Sequence, residues 1–460
     1  MADPKLFAGH AVRRLRRGEG LTQAGMAERL AISPSYLNLV ERNQRPVSAA
    51  LLLRLAERFD FDPRALAAAE PGGGAEAMRR RLADPLFADL EIDRGELEAW
   101  LAAAPGGAEA FARAFDRGAG DAGAAPADDP VANVRRAVER WRNHFADLDA
   151  AAEALADEAR MTGADLYGAL ADRLRVKHRL SVRVLPVEAM PEHLRRLDTH
   201  SRQLQLSERL DIASRVFALA QQLALDEARD EIDALVRGAE LGNKAAERLL
   251  RRHLAGYFAA AVMMPYARFL RACEATGYDV ELLQRRFGAG FEQVAHRLTT
   301  LGRVGARGLP FFMLRVDRAG QVSKRYAGAS ASPLVDGPGL CPLWRLFEAF
   351  QRPGELVTHL VAPEEGGLWF TMARTVSPSA AQLGRVRARF AVGLGLPAEA
   401  AAGLAAARGL DLSGGATPIG RGCRACTRHA CPQRSAPPAG RALLLSEREV
   451  GLTPYGFAGD

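Results

Sequence analysis

Over residues 7–69 the apolar positions form short helical stripes. Phe7, Val12 and Leu15 share one face of a first helix. Leu21-Thr22-Gln23 opens a second, with Met26, Ala27 and Leu30 on one side. Ile32-Ser33-Pro34-Ser35-Tyr36-Leu37 starts a third, where Ser33 is placed to cap and Pro34 sits in the first turn, the position where a missing N–H is harmless. Leu51, Leu52, Leu55 and Phe59 close the core from a fourth, and the stretch as a whole predicts five helices. Gly- and Ala-rich segments at 67–74 and 117–129 read as boundaries. Between them Met78 to Phe115 carries short helical patterns anchored by Trp100 and Phe111. From Pro130 to about Arg175 the stripe Val131, Val134, Val138, Trp141 and Phe145 predicts helix packed on a core.

The period then changes. Ser181–Leu185 and Gln203–Ser207 alternate and predict strands, ahead of a helix from about Glu208 with Ala213, Val216, Phe217, Ala220 and Ala224 on its buried side. Helical patterns return at 254–266 and 291–301. Beyond them, 310–317 with 322–327 and 356–362 with 367–376 read as two hairpins, and 387–394 as a fifth strand. The fold class expected is α+β multidomain, ending in an antiparallel sheet flanked by helices.

The chain has 460 residues, 48% of them hydrophobic, more than one core usually supports. No run of about 18 apolar residues offers a membrane span, and the start lacks a signal-peptide pattern. A cytoplasmic protein with no membrane partner is expected, in which clustered cysteines bind metal rather than form disulfides. The net charge of +7 permits a polyanionic partner. Of five cysteines, Cys423, Cys426 and Cys431 lie within nine residues, Cys341 stands apart as a fourth thiolate, and Cys273 reads as a buried thiol in a helix. Four thiolates suit tetrahedral zinc or a [4Fe–4S] cluster equally, and spacing does not separate the two.

Leu21-Thr-Gln23 followed by Ile32-Ser-Pro-Ser-Tyr-Leu-Asn-Leu-Val-Glu-Arg-Asn-Gln-Arg-Pro46 resembles the helix-turn-helix of phage-repressor type. That resemblance implies double-stranded DNA as partner. Ser33, Ser35, Tyr36 and Asn38 would face base edges, Gln23, Arg42, Asn43 and Arg45 would hold phosphates, and a homodimer or higher oligomer would span two half-sites. Ser207 to Leu225 resembles the active-site helix of the ImmA/IrrE-type metallopeptidases, but the two His and one Glu of that zinc motif are replaced by Gln221, Gln222 and Leu225. Neither zinc ligand nor general base remains, so a non-catalytic descendant is expected.

Further matches are Tyr257-Phe-Ala-Ala-Ala-Val-Met-Met-Pro-Tyr266, His296-Arg-Leu-Thr-Thr-Leu301, Pro310 to Gly320, Ser323-Lys-Arg325, Cys341-Pro-Leu-Trp344, Ala373-Arg-Thr-Val376 and Thr417 to Arg434. Together they resemble the short-chain fatty acid transcription regulators of actinobacteria and proteobacteria, including the propionate and methylcitrate-cycle type. The resemblance implies a non-enzymatic regulator with a short acyl-CoA effector, and it favours [4Fe–4S] over zinc at Cys341, Cys423, Cys426 and Cys431. A metallopeptidase-related enzyme or an iron–sulfur hydrolyase is the alternative. The expected domains are a helix-turn-helix domain at 1–69, a linker with short helices at 70–129, a mostly helical peptidase-like domain at 130–305 and a C-terminal sensor domain with the Cys cluster at 306–460. By residue chemistry, Arg303, Arg307, Lys324 and Arg325 suit the phosphates of an acyl-CoA, with Tyr257, Phe258 and Phe311 near its acyl pocket.

Overall fold

Two hydroxyl side chains start the second and third helices in the computed structural model. Thr22 accepts a hydrogen bond from the Gly25 amide and Ser33 one from the Tyr36 amide, each at 3.1 Å, capping α2 (Gln23–Arg29) and α3 (Pro34–Glu41). With α1 (Gly9–Gly18) and α4 (Ala49–Phe59) they bury Val12, Met26, Leu30, Leu37, Val40, Leu51 and Leu55 in one cluster. The structure describes residues 9–42, 44–59, 74–82, 87, 90, 92–120, 129–163, 165–328, 332–335, 339–377, 388–451 and 453–458. The fifth helix expected before residue 69 lies outside them. A second small core joins α5 (Gly74–Leu82), α6 (Arg94–Ala103) and α7 (Pro105–Gly120), where Trp100 meets Phe111 edge-on at 5.4 Å.

The chain divides into two units, Met1–Gly120 and Asp121–Asp460. The second opens with α8 (Pro130–Arg140), α9 (Ala146–Met161) and α10 (Leu166–His178). A three-stranded sheet follows in the order β1-β3-β2, from β1 (Ser181–Leu185), β2 (Arg195–Asp198) and β3 (Gln203–Ser207). β3 runs parallel to β1 and antiparallel to β2. Sequence periodicity does not reveal β2, whose four residues Arg-Arg-Leu-Asp carry no alternation. Then come α11 (Ile212–Glu227), α12 (Arg229–Gly238), α13 (Lys244–Met263), α14 (Tyr266–Thr276), α15 (Val280–Phe287) and α16 (Phe291–Leu298).

The last sheet has six strands in the order β5-β4-β8-β7-β6-β9. They are β4 (Phe312–Val316), β5 (Val322–Tyr326), β6 (Val357–Ala362), β7 (Trp369–Val376), β8 (Phe390–Pro397) and β9 (Thr417–Pro418). All pairs are antiparallel except β6 with β9, so the expected antiparallel sheet is mixed at one edge. Period-two alternation gives the sheet two faces. Met313, Phe370, Met372 and Leu394 join the helical core, while Phe312, Leu314, Val316 and Trp369 bury against a segment containing Cys341, Trp344 and Leu346. The boundary expected at 305/306 therefore falls inside one unit, whose main core draws on both sides of it.

A fully buried ion pair ties this core together. Arg297 of α16 donates to Asp149 of α9 at 2.6 Å, to the Met264 carbonyl at 3.0 Å and to Thr300 at 3.0 Å. Tyr257 of α13 donates to the other Asp149 oxygen at 2.7 Å. Burial pushes the Asp149 carboxyl up, but the Arg297 charge and the hydrogen bonds from His144, Tyr257 and Arg297 outweigh it and hold the group at about 2.

Candidate functional site

The face of α3 in the first unit presents Ser35 exposed, and Tyr36 and Asn38 half-exposed. Ser33, expected to meet a base, spends its oxygen as an acceptor on the helix cap. Gln23 is not free to hold phosphate as expected. Its amide nitrogen donates to Glu41 at 2.9 Å and reaches Asn38 at 3.4 Å, so it ties α2 to α3 instead. Glu41 is buried within this helical core. Burial works to raise its carboxyl, yet hydrogen bonds from Arg16, at 2.6 Å, and from Gln23, with the charges of Arg16 and Arg13, hold it below the ordinary range. Arg42 and Arg45 are exposed and available to phosphate, and Asn43 lies outside the described residues.

The peptidase-like site has lost its chemistry in an informative way. Arg195 of β2 directs its guanidinium at Gln222 and, at 3.3 Å, at Gln221, while Gln222 donates to Asp226 at 3.0 Å. A protein cation lies against Gln221 and Gln222, two of the three positions that the zinc motif would fill. Its Nε is buried without a partner. The sequence showed the missing ligands but not this occupant, because β2 carries no strand signal.

The cysteine segments meet at the far face of the six-stranded sheet. β9 pairs with β6 and delivers Ile419-Gly420 to it, the Ile419 amide donating to Ala362 at 3.0 Å. Gly339 and Gly422 let the Cys341 loop touch the 423–431 clip. A Cβ on Gly422, whose φ is +90°, would stand 3.2 Å from the Gly339 Cα. A Cβ on Gly420 would stand 2.6 Å from the Cys426 sulfur, so only glycine lets the backbone pass that thiol.

Arg434, buried, donates to the carbonyls of Cys423 at 3.1 Å, Cys426 at 3.2 Å and Arg428, and approaches the Cys426 sulfur at 3.8 Å. The Ser435 amide donates to the Cys423 sulfur at 3.4 Å. Burial raises the Cys341 thiol, and the charges of Cys431 and Cys423 raise it further, against amides of Gly420 and Leu343. The donor chemistry, thiols with peptide N–H groups aimed at sulfur, fits a thiolate-held metal group. Among the described residues no three His, Cys, Asp or Glu side chains converge as a metal shell. Cys273 is fully buried in α14, its thiol pushed up to about 12 by burial. His429 stacks on Phe457 at 4.4 Å.

The residues expected around an acyl-CoA do not come together. Tyr257, Phe258 and Phe311 are buried core side chains, and the Tyr257 hydroxyl is committed to Asp149. Arg303 donates to Glu153 at 2.7 Å and lies 4.1 Å over the Tyr266 ring, Lys324 donates to Glu292 at 2.6 Å, and Arg325 donates to the Val335 carbonyl at 2.9 Å. Arg307 is exposed. Arg325 lines a cavity of about 210 Å³ beside Leu314, Val322 and Leu340. Arg303, Lys324 and Arg325 each found a local acceptor and each aromatic ring filled core volume, neither of which residue type reveals.

Known proteins share this organisation. A helix-turn-helix domain family matches residues 8–69, the IrrE N-terminal-like domain family matches 175–299, and the family described as "Short-chain fatty acyl coenzyme A regulator, C-terminal" matches 300–455. The chain is 36% identical over 470 residues to the HTH-type transcriptional regulator RamB of Mycobacterium tuberculosis, covering 98% of each. It is 36% identical to the propionyl-CoA carboxylase regulator of Cereibacter sphaeroides, again with 98% of each covered. With the HTH-type transcriptional regulator PrpR of Mycobacterium tuberculosis the identity is 33%, over 98% of this chain and 96% of that one. A solved Mycobacterium tuberculosis transcriptional regulator superposes with a TM-score of 0.67 at 35% identity, covering 71% of this chain and 99% of that one.

Proposed function

The chain belongs to the short-chain fatty acyl coenzyme A regulators and is a DNA-binding transcriptional regulator, and from that premise we propose that it governs propionate or acetate use in the cytoplasm. In this reading it binds double-stranded DNA as a homodimer, and a short-chain acyl-CoA alters its hold. The observation that carries the reading is the α3 face. Ser35, Tyr36 and Asn38 point outward from a helix whose position is fixed by the Ser33 cap and by the buried Glu41 with its Arg16 and Gln23 donors. A helix so anchored enters a major groove with its first turns on base edges, while Arg42 and Arg45 neutralise phosphates. The names of the relatives support the metabolic theme, one of them as a propionyl-CoA carboxylase regulator. Enzymatic chemistry is not needed: the relatives are named as regulators, and Gln221, Gln222 and Leu225 supply neither zinc ligand nor base.

For the effector to act, it must bind two states of the protein with different affinity, and the DNA-competent state must be one of them. Cys341, Cys423, Cys426 and Cys431 would hold a [4Fe–4S] cluster, with zinc as the alternative the same donors accept. Such a group, when bound, supplies a covalent cross-link between the Cys341 loop and the clip and, if iron–sulfur, a redox-sensitive one. Arg434 would keep the clip closed around it through the carbonyls it already gathers.

Selection of bound duplexes from a random pool tests the DNA reading. The expected product is an inverted repeat with half-sites about one helical turn apart. No enriched sequence would overturn it. Titration of the selected duplex with acetyl-, propionyl- and methylmalonyl-CoA tests the effector, and unchanged affinity with all three removes it. Anaerobic purification with assays of iron, acid-labile sulfide and zinc tests the metal. Iron and sulfide in equal amounts support the cluster, zinc without sulfide supports the alternative, and neither removes both.

A further inference from the structure

After the cysteine clip the chain runs as a narrow ribbon that none of the sites above uses. β10 (Leu443–Leu444) and β11 (Gly456–Phe457) pair antiparallel, Leu443 opposite Phe457 and Leu444 opposite Gly456. One residue fastens the ribbon to the clip. Phe457 is buried, its ring stacked on His429 at 4.4 Å and its centre 4.8 Å from the Arg434 guanidinium. The outer strand buries nothing. Residues 442–451 are all exposed, among them Leu443, Leu444, Leu445 and Val450 at 44%, 63%, 75% and 100%.

The backbone of β10 has a bare side as well. The Ala458 amide donates to the Ala442 carbonyl at 2.9 Å, so the alternation of an antiparallel ladder turns the groups of Ala442 and Leu444 toward β11 and those of Leu443 away from it. Among the described residues no further strand pairs with that edge. Such edges are ordinarily blunted by Lys or Pro, and Ala442-Leu-Leu-Leu445 carries neither. Leu444 is the most open of them on its own sheet, because the residue opposite is Gly456, where a Cβ would stand 2.9 Å from the Leu444 carbonyl oxygen. Ordering each backbone residue costs about 1–2 kcal/mol, which an exposed stretch does not recover by burial. A two-stranded ribbon of this kind is marginal in water without a surface to pack on.

We propose that two copies of this chain meet along β10, pairing antiparallel across a two-fold axis at Leu444. The assignment rests on the homodimer reading above and gives it a surface. The register is self-complementary. Leu444 meets its own counterpart on the axis, and Leu443 stands opposite Leu445 of the second copy. Arg441 and Glu447 lie equally far from Leu444 along the chain, so the two-fold sets a cation against a carboxylate at both ends. Ser446 holds the turn that presents this acid, accepting the Arg448 and Glu449 amides at 3.2 Å each. The leucines supply an apolar centre and the charges a polar rim, the arrangement of a specific contact. A partner of one charge sign would satisfy one end of the strand and oppose the other, whereas a second copy satisfies both. Phe457 joins this contact to the clip through Arg434, which also gathers the carbonyls of Cys423 and Cys426.

Sedimentation velocity of the full chain over a range of concentrations is the test, with circular dichroism to verify folding. The wild type is expected to dimerise. Leu444→Lys is expected to raise the dimer dissociation constant about 100-fold or more, since a two-fold contact counts the change twice and sets like charges face to face. Arg441→Glu and Glu447→Arg are each expected to raise it about tenfold, and Arg441→Glu/Glu447→Arg to bring it back within about threefold of the wild type. A wild type that stays monomeric removes the homodimer reading and this surface with it. A dimer that survives Leu444→Lys overturns the surface and leaves that reading intact. If the same change also lowers the unfolding midpoint, the leucines are covered by their own chain, which overturns the assignment too. Single exchanges that weaken the dimer with no recovery in the double variant overturn the two-fold register.

Discussion

At the scale of single residues, the Asp149–Arg297 pair makes the sharpest demand. Both side chains are wholly buried, so removing one leaves the other charge buried without its counter-charge. Arg297→Met is expected to cost about 3–5 kcal/mol in urea unfolding, with part of the loss recovered in Arg297→Met/Asp149→Leu. The pH dependence follows from the depressed carboxyl. Its contribution is complete above the ordinary aspartate value of 3.8 and is lost as pH falls from there toward about 2. Unfolding midpoints across that window should fall more steeply for the wild type than for Asp149→Asn. Arg195 makes a second demand. Installing Gln221→His, Gln222→Glu and Leu225→His while Arg195 remains should give no zinc uptake in equilibrium dialysis, because a guanidinium already lies against those positions. Adding Arg195→Ala should permit it, and zinc bound with Arg195 in place would refute the substitution argument.

At the scale of elements, α3 shows how local signals and tertiary contacts divide the work. The cap Ser33, the first-turn Pro34 and the apolar Leu37 and Val40 are readable as sequence because capping and amphipathic periodicity act within a few residues. The role of Gln23 was not readable. It depends on Glu41, 18 residues away, folding back under α1. Ser33→Ala is expected to cost about 1 kcal/mol of stability and to weaken DNA binding only through it. Arg42→Ala and Arg45→Ala should leave the melting temperature unchanged, weaken binding across all sequences, and each lower the slope of log affinity against log salt by about 1. A change in base preference at either position would contradict their placement as phosphate contacts. The same division holds at the C-terminal sheet. Its hairpins were legible from alternation, whereas β9, two residues long and parallel to β6, exists only because β6 offers an edge.

At the scale of the whole molecule, the sheet is not an independent module. Met313, Phe370, Met372 and Leu394 belong to the same core as Leu219, Phe258 and Phe269. A fragment ending at residue 305 would expose that interface, so it should aggregate or remain molten, with weak near-ultraviolet dichroism, while 121–460 folds cooperatively. A well-ordered 121–305 would show the shared core to be dispensable. The sequence by itself determined the helix-turn-helix, the loss of peptidase ligands at Gln221, Gln222 and Leu225, and the grouping of Cys423, Cys426 and Cys431, because each is written in residue type and short spacing. Only the tertiary structure decided that Arg195 lies against the degenerate motif, that the Cys341 loop reaches the clip through Gly339 and Gly422, and that Phe457 seats the C-terminal ribbon against His429 and Arg434. Those arrangements join residues tens to hundreds of positions apart, and burial and charge select among such partners only once the chain is packed.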